Sequence, residues 1–159
     1  MKSVKPALLA LIIALGLACS YKGAVAGGLE FVRNLHLGSW SPFAAYWEGR
    51  SAVCAWTESK EIGFRIIALD QNNSNTFHLT NDIGDRVPFS LFWQDYNNPS
   101  SGEQLVAGRP SRNSYSFNTG NGCGISPNYL TRMRVDKADF DGVTPGVYES
   151  AVVLMLSPI

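Results

Sequence analysis

The run Val147-Tyr148-Glu149-Ser150-Ala151-Val152-Val153-Leu154-Met155-Leu156-Ser157, opened by the turn residues Thr144-Pro145-Gly146, constrains the fold more than any other stretch. In a strand, successive side chains point to opposite faces, so Tyr148, Ser150, Val152, Leu154 and Leu156 share one face. Ala151, Val153 and Met155 make the other face apolar as well. Such a strand is expected to want cover on both faces. Standing at the end of the sequence, it is also expected at a sheet edge, where a long apolar strand invites aggregation unless another strand pairs with it.

The opposite end reads as a targeting segment. Lys2 and Lys5 form a charged start, Ala7 to Ala18 an apolar run, and Ala24-Val25-Ala26 a small-residue cleavage site, which makes residues 1–26 a secretory signal and Gly27 the first mature residue. The apolar run is shorter than the roughly 20 residues a membrane span needs, so the processed chain is not expected to cross a membrane. Cys19 follows Leu17-Ala18 in the manner of a lipidation site, but Gly16 stands where such a signal usually has a larger apolar residue.

Removing 26 of 159 residues leaves 133, enough for one domain (27–159) with its own core. The leader carries Lys2, Lys5 and Lys22 out of 13 basic residues and none of the 13 acids, so the remainder has a net charge of −3. That balance gives no electrostatic reason to expect nucleic acid or anionic lipid as a partner. Two cysteines remain, Cys54 and Cys123, and in an exported protein an isolated pair favours a disulfide over a metal site.

Short apolar alternations dominate the mature chain. They predict strands near Leu35 to Trp40, Ser51 to Thr57, Ile62 to Leu69, Thr76 to Thr80, Val87 to Trp93, Gln104 to Ala107, Ser114 to Asn118, Tyr129 to Val135 and Val147 to Leu156. Turn formers separate them, including Trp47-Glu48-Gly49, Asp70 to Ser74, Asn81 to Asp85, Asn97 to Gly102 and Thr119 to Gly122. This pattern implies an all-β sandwich. Val87, Phe89, Leu91 and Trp93 are expected in the core, with Phe92 needing a second cover, and Tyr129, Thr131, Met133 and Val135 should be the buried side of a half-exposed strand.

The order Leu37-Gly38-Ser39-Trp40-Ser41-Pro42, Ala52-Val53-Cys54-Ala55-Trp56, Phe64 to Leu69, Val87 to Asp95 and Pro145-Gly146-Val147-Tyr148 resembles the spore coat protein U-like domain, a family similar to the pilin subunits of bacterial chaperone–usher fimbriae. Gly146 stands fourteenth from the end, with Tyr148 at the family's spacing. The resemblance implies an incomplete immunoglobulin-like, pilin-type β-sandwich. A periplasmic chaperone, and later the N-terminal extension of a neighbouring fimbrial subunit, would fill its groove, with an outer-membrane usher as a further partner and the cell surface as destination. Tyr148, Val152, Leu154 and Leu156 would line that groove, with Val153 and Met155 packing on the opposite side. Taken alone, the residues favour an ordinary interior strand of a complete sandwich; the resemblance selects the open groove.

This chain departs from the family pattern twice. Only Gly27 to Asn34 precede the first expected strand, a reach of at most about 29 Å, which suits a subunit that accepts a strand without donating one, as at a fibre tip. If instead Leu29 to Leu37 is the donor, then Leu29, Phe31, Leu35 and Leu37 would plug another subunit. Many family members also pair a cysteine of the first strand with one of the second; Cys54 matches the second position, and nothing near Leu35 matches the first.

Catalysis finds little support. His36 and His78 are the only histidines, and no nucleophile elbow, paired-histidine metal motif or phosphate-binding glycine loop is present. Asp136, Asp139 and Asp141 lack the alternate ligands and closing glutamate of a calcium loop. No cofactor is implied. A secreted recognition module for glycan or protein is the competing class, with Trp40, Tyr46 and Trp47 as candidate aromatics for stacking or anchoring.

Overall fold

The computed structural model describes residues 27–30, 32–38, 43–58, 63–71, 74–119, 122–124 and 126–159. The expected signal segment 1–26, together with Phe31 and Trp40, lies outside the described residues. The strands are β1 (Gly27–Glu30), β2 (Tyr46–Thr57), β3 (Gly63–Asp70), β4 (Phe77–Thr80), β5 (Arg86–Asp95), β6 (Glu103–Gln104), β7 (Tyr115–Ser116), β8 (Asn118–Thr119), β9 (Tyr129–Asp136) and β10 (Val152–Pro158), with a short helix α1 (Lys137–Phe140). No described helix is long and apolar enough to cross a membrane.

Alternation builds the larger sheet, ordered β1-β2-β9-β5-β4 with β6 beside β5 and β8 beside β2. Val87, Phe89, Leu91 and Trp93 of β5 point inward and are buried, as are Tyr129, Thr131, Met133 and Val135 of β9. Phe92 faces outward, where the Arg132 guanidinium covers its ring at 4.2 Å. The turn between β4 and β5 forms because Asn81 Oδ1 accepts the Asp85 N–H at 2.7 Å while Gly84 takes a φ of +92°.

The second sheet, β10-β3-β7, packs on the first. Phe64, Ile66 and Ala68 of β3 are fully buried, and Phe64 meets Trp93 and Tyr129 edge-on at 6.3 and 5.7 Å. Burying one such ring stabilises the fold by about 1.5–3 kcal/mol. A disulfide joins Cys54 of β2 to Cys123 across 69 positions, with Cα atoms 6.0 Å apart, tying the loop before β9 to an early strand.

Several sequence expectations need correction. The stretch Trp47-Glu48-Gly49 is not a turn but lies within β2, paired with β9 from Tyr46↔Asp136 onward. Gly49 serves close approach instead, since a Cβ there would stand 3.0 Å from the His36 carbonyl oxygen. The strand expected from Leu35 is absent over residues 35–38, and the edge pairing falls earlier, where β1 lies antiparallel to β2. β10 begins at Val152 rather than Val147, because residues 144–151 cross between sheets: Glu149 and Thr80 exchange backbone hydrogen bonds of 2.8 and 3.0 Å, and only then does the chain join β3.

Candidate functional site: a groove beside an unpaired edge

β10 pairs with β3 on one side, and among the described residues no strand pairs with its other side. The direction of its backbone groups follows from the ladder. Gln71 N–H donates to Ala151 C=O and Ile159 N–H to Gly63 C=O, both at 3.1 Å, on the register that opposes Val152 to Asp70. Hydrogen-bonded and non-hydrogen-bonded pairs alternate along antiparallel strands, so Val153, Met155 and Ser157 direct their backbone groups at β3. The far side of β3 agrees, since the Ala68 and Ile66 carbonyls accept from Gly108 and Ser111 N–H groups at 2.8 Å. Val152, Leu154 and Leu156 therefore present N–H and C=O to the open edge, and Pro158, lacking an N–H, ends the donor row.

Beside that edge lies a groove of about 970 Å³. One wall is residues 146–152 with Leu154; the other is residues 32–38, which make no strand pairing among the described residues. The floor is apolar and belongs to the core: Leu79, Phe89, Leu91 and Met133 line it and are buried. Trp47 and Phe140 close part of it edge to face, 5.1 Å between centroids, with Tyr148 packed on Phe140 at 6.3 Å. The lips are apolar too, with Val32 56% and Val147 76% exposed.

Polar groups brace the Tyr148 end. Its hydroxyl donates to Thr144 C=O at 2.6 Å and accepts from Asn81 Nδ2 at 3.2 Å, while Asp85 accepts the Thr144 N–H at 3.3 Å. Hydrogen bonding from Thr144 holds the Asp85 carboxyl below its ordinary range, and desolvation, with the Asp85 charge second, pushes the Tyr148 hydroxyl up.

The expected site residues distribute as follows. Tyr148, Val152 and Leu154 line the groove; Leu156 packs on the core but lies outside the lining. Val153 and Met155, expected to pack on the other side, are 51% and 40% exposed, because the described residues provide no third layer. Leu29, Leu35 and Leu37, the candidate donor residues, pack on this domain's own core, so the described part of that segment is engaged at home. Tyr46 and Trp47 do not form a loop cluster: as neighbours on β2 they face opposite ways, Tyr46 outward under Arg134 at 4.2 Å and Trp47 inward with 7% exposure. Trp47 is therefore withdrawn as a surface recognition aromatic. Sequence reasoning missed the rim at residues 32–38, whose Leu35/Leu37 alternation was the signal, and Phe140, for which no signal existed.

No family model matches the chain, and no curated protein sequence matches it significantly. Among solved structures, it is similar to a chain of a chaperone–tip adhesin complex vital for synergistic activation of CFA/I fimbriae biogenesis, with a TM-score of 0.59 at 13% identity. The likeness covers 84% of this chain, which spans 41% of that chain's length. The fold is thus an all-β sandwich, similar in architecture to that fimbrial chain, with one side of β10 unpaired among the described residues.

Proposed function

We propose that this protein is a subunit of a chaperone–usher fimbria, exported through the periplasm to the cell surface, and that its groove accepts a single extended strand from another polypeptide. The observation that carries this reading is the pairing of an open β10 edge with an opposing unpaired segment over an apolar floor. An inserted strand gains main-chain hydrogen bonds from Val152, Leu154 and Leu156 and sets alternate side chains on the floor. A periplasmic chaperone would fill the groove first and another subunit's extension later, with an outer-membrane usher between. The engagement of Leu29, Leu35 and Leu37 on the home core favours an acceptor that does not donate this segment, as at a fibre tip. Within this class, the sequence resemblance points to the spore coat protein U-like domain.

The test replaces Val152 and Leu154 together with aspartate and follows export and fibre incorporation. Loss of incorporation, with the purified wild-type chain depending on a chaperone or an added strand to remain monomeric, is the expected outcome. Unchanged incorporation contradicts the proposal.

A further inference from the structure

The groove rim at residues 32–38 starts two residues beyond β1, so whatever fixes the end of β1 fixes where the rim begins. β1 is a four-residue ladder at a sheet edge, which is weak anchorage by itself. Glu30, its last residue, stands opposite Cys54 in the β1–β2 register. The Glu30 carboxylate accepts the backbone N–H of Cys123 at 3.2 Å. Cys123 is in turn bonded through its sulfur to Cys54, so Glu30 grips a point covalently fixed to β2. The adjoining Gly122 has a φ of +106°, and a Cβ there would stand 3.0 Å from Glu30 Oε1. Glycine thus lets the loop backbone lie against the carboxylate.

We infer that Glu30 is a positioning residue for the groove: its carboxylate, seated on the disulfide-bonded Cys123, pins the end of β1 and with it the rim at residues 32–38. A charged acceptor makes this hydrogen bond stronger than a neutral one. The consequence for strand binding rests on the acceptor reading above; the pinning itself does not.

Arg33 lies exposed within the rim and supplies the readout. Limited trypsin digestion of the purified, oxidised protein is followed by mass spectrometry, comparing cleavage after Arg33 with cleavage after the exposed loop residue Arg112. Glu30→Ala is expected to speed cleavage after Arg33 by about tenfold, the scale of one charge-assisted hydrogen bond, with the Arg112 rate and the urea midpoint little changed. Glu30→Gln, which keeps an acceptor oxygen, should restore most of the protection. In a Cys54→Ser/Cys123→Ser background, adding Glu30→Ala should change the Arg33 rate no further, because the anchor is already released. An unchanged Arg33 rate in Glu30→Ala, or effects of the two changes that simply multiply, overturns the inference. Should the cysteine-free chain fail to fold, the oxidised Glu30→Ala and Glu30→Gln pair decides alone. A separate titration with a synthetic peptide of alternating leucine and threonine tests the acceptor reading. If Glu30→Ala loosens the rim while the wild-type protein binds no peptide, the pin stands and the acceptor role is refuted.

Discussion

β5 and β10 carry the same apolar alternation and meet different fates. β5 has strand neighbours on both edges and a second sheet over its inner face, and Val87, Leu91 and Trp93 are at most 3% exposed. β10 has β3 on one edge and a groove on the other, so Val152, Leu154 and Leu156 are only partly buried. Alternation specifies which side chains turn inward; whether they are sealed depends on how many neighbours the strand has. The difference marks the place where the sandwich is unfinished among the described residues.

The largest test of this contrast compares one substitution at two sites. Leu91→Ala should destabilise by about 3 kcal/mol, within the range for a buried leucine, while Leu154→Ala should cost the free protein only about 1 kcal/mol because its side chain is already partly hydrated. Urea denaturation measures both, and equal losses would break the comparison. Alkaline pH probes the closed region. Burial pushes the Tyr129 hydroxyl up to about 12 from an ordinary value of 10, and that hydroxyl donates to Ser116 C=O at 2.6 Å. The folded state thus favours the protonated phenol, so its contribution is complete below pH 10 and is lost as pH rises toward 12. A denaturation series should show that decline, and Tyr129→Phe should lessen it, with Tyr115, also pushed up by burial, retaining the remainder. The smallest effect belongs to the outer face of β10: Val153→Lys with Met155→Lys should shift stability by no more than about 0.5 kcal/mol, whereas a large loss would reveal cover that the exposed side chains do not suggest.

Much of the closed region was legible in the amino-acid order. The inward sets of β5 and β9 followed from alternation, and the Cys54–Cys123 disulfide from the isolation of that pair in a chain expected to be exported. The open region was harder. Gly49 looked like a turn residue because its role, letting the His36 backbone approach, depends on a segment distant in the fold. Leu35 and Leu37 alternate like a strand yet make no ladder among the described residues: their side chains pack on the core while the intervening His36 backbone lies against Gly49. Val153 and Met155 implied a second cover that local pattern could not distinguish from an uncovered face. The Glu30–Cys123 contact has no sequence signature, since its geometry exists only once β1 and the disulfide loop meet.

Residue-by-residue amide hydrogen exchange along β10, measured by NMR with and without a synthetic alternating leucine–threonine peptide of about ten residues, tests the central claim most directly. Without peptide, the amides of Val153, Met155 and Ser157 should be protected by β3 while those of Val152, Leu154 and Leu156 exchange freely; with peptide, the second set should become protected as well. Val152, Leu154 and Leu156 amides that are already protected in the free protein, or that stay unprotected at saturating peptide, would contradict the account.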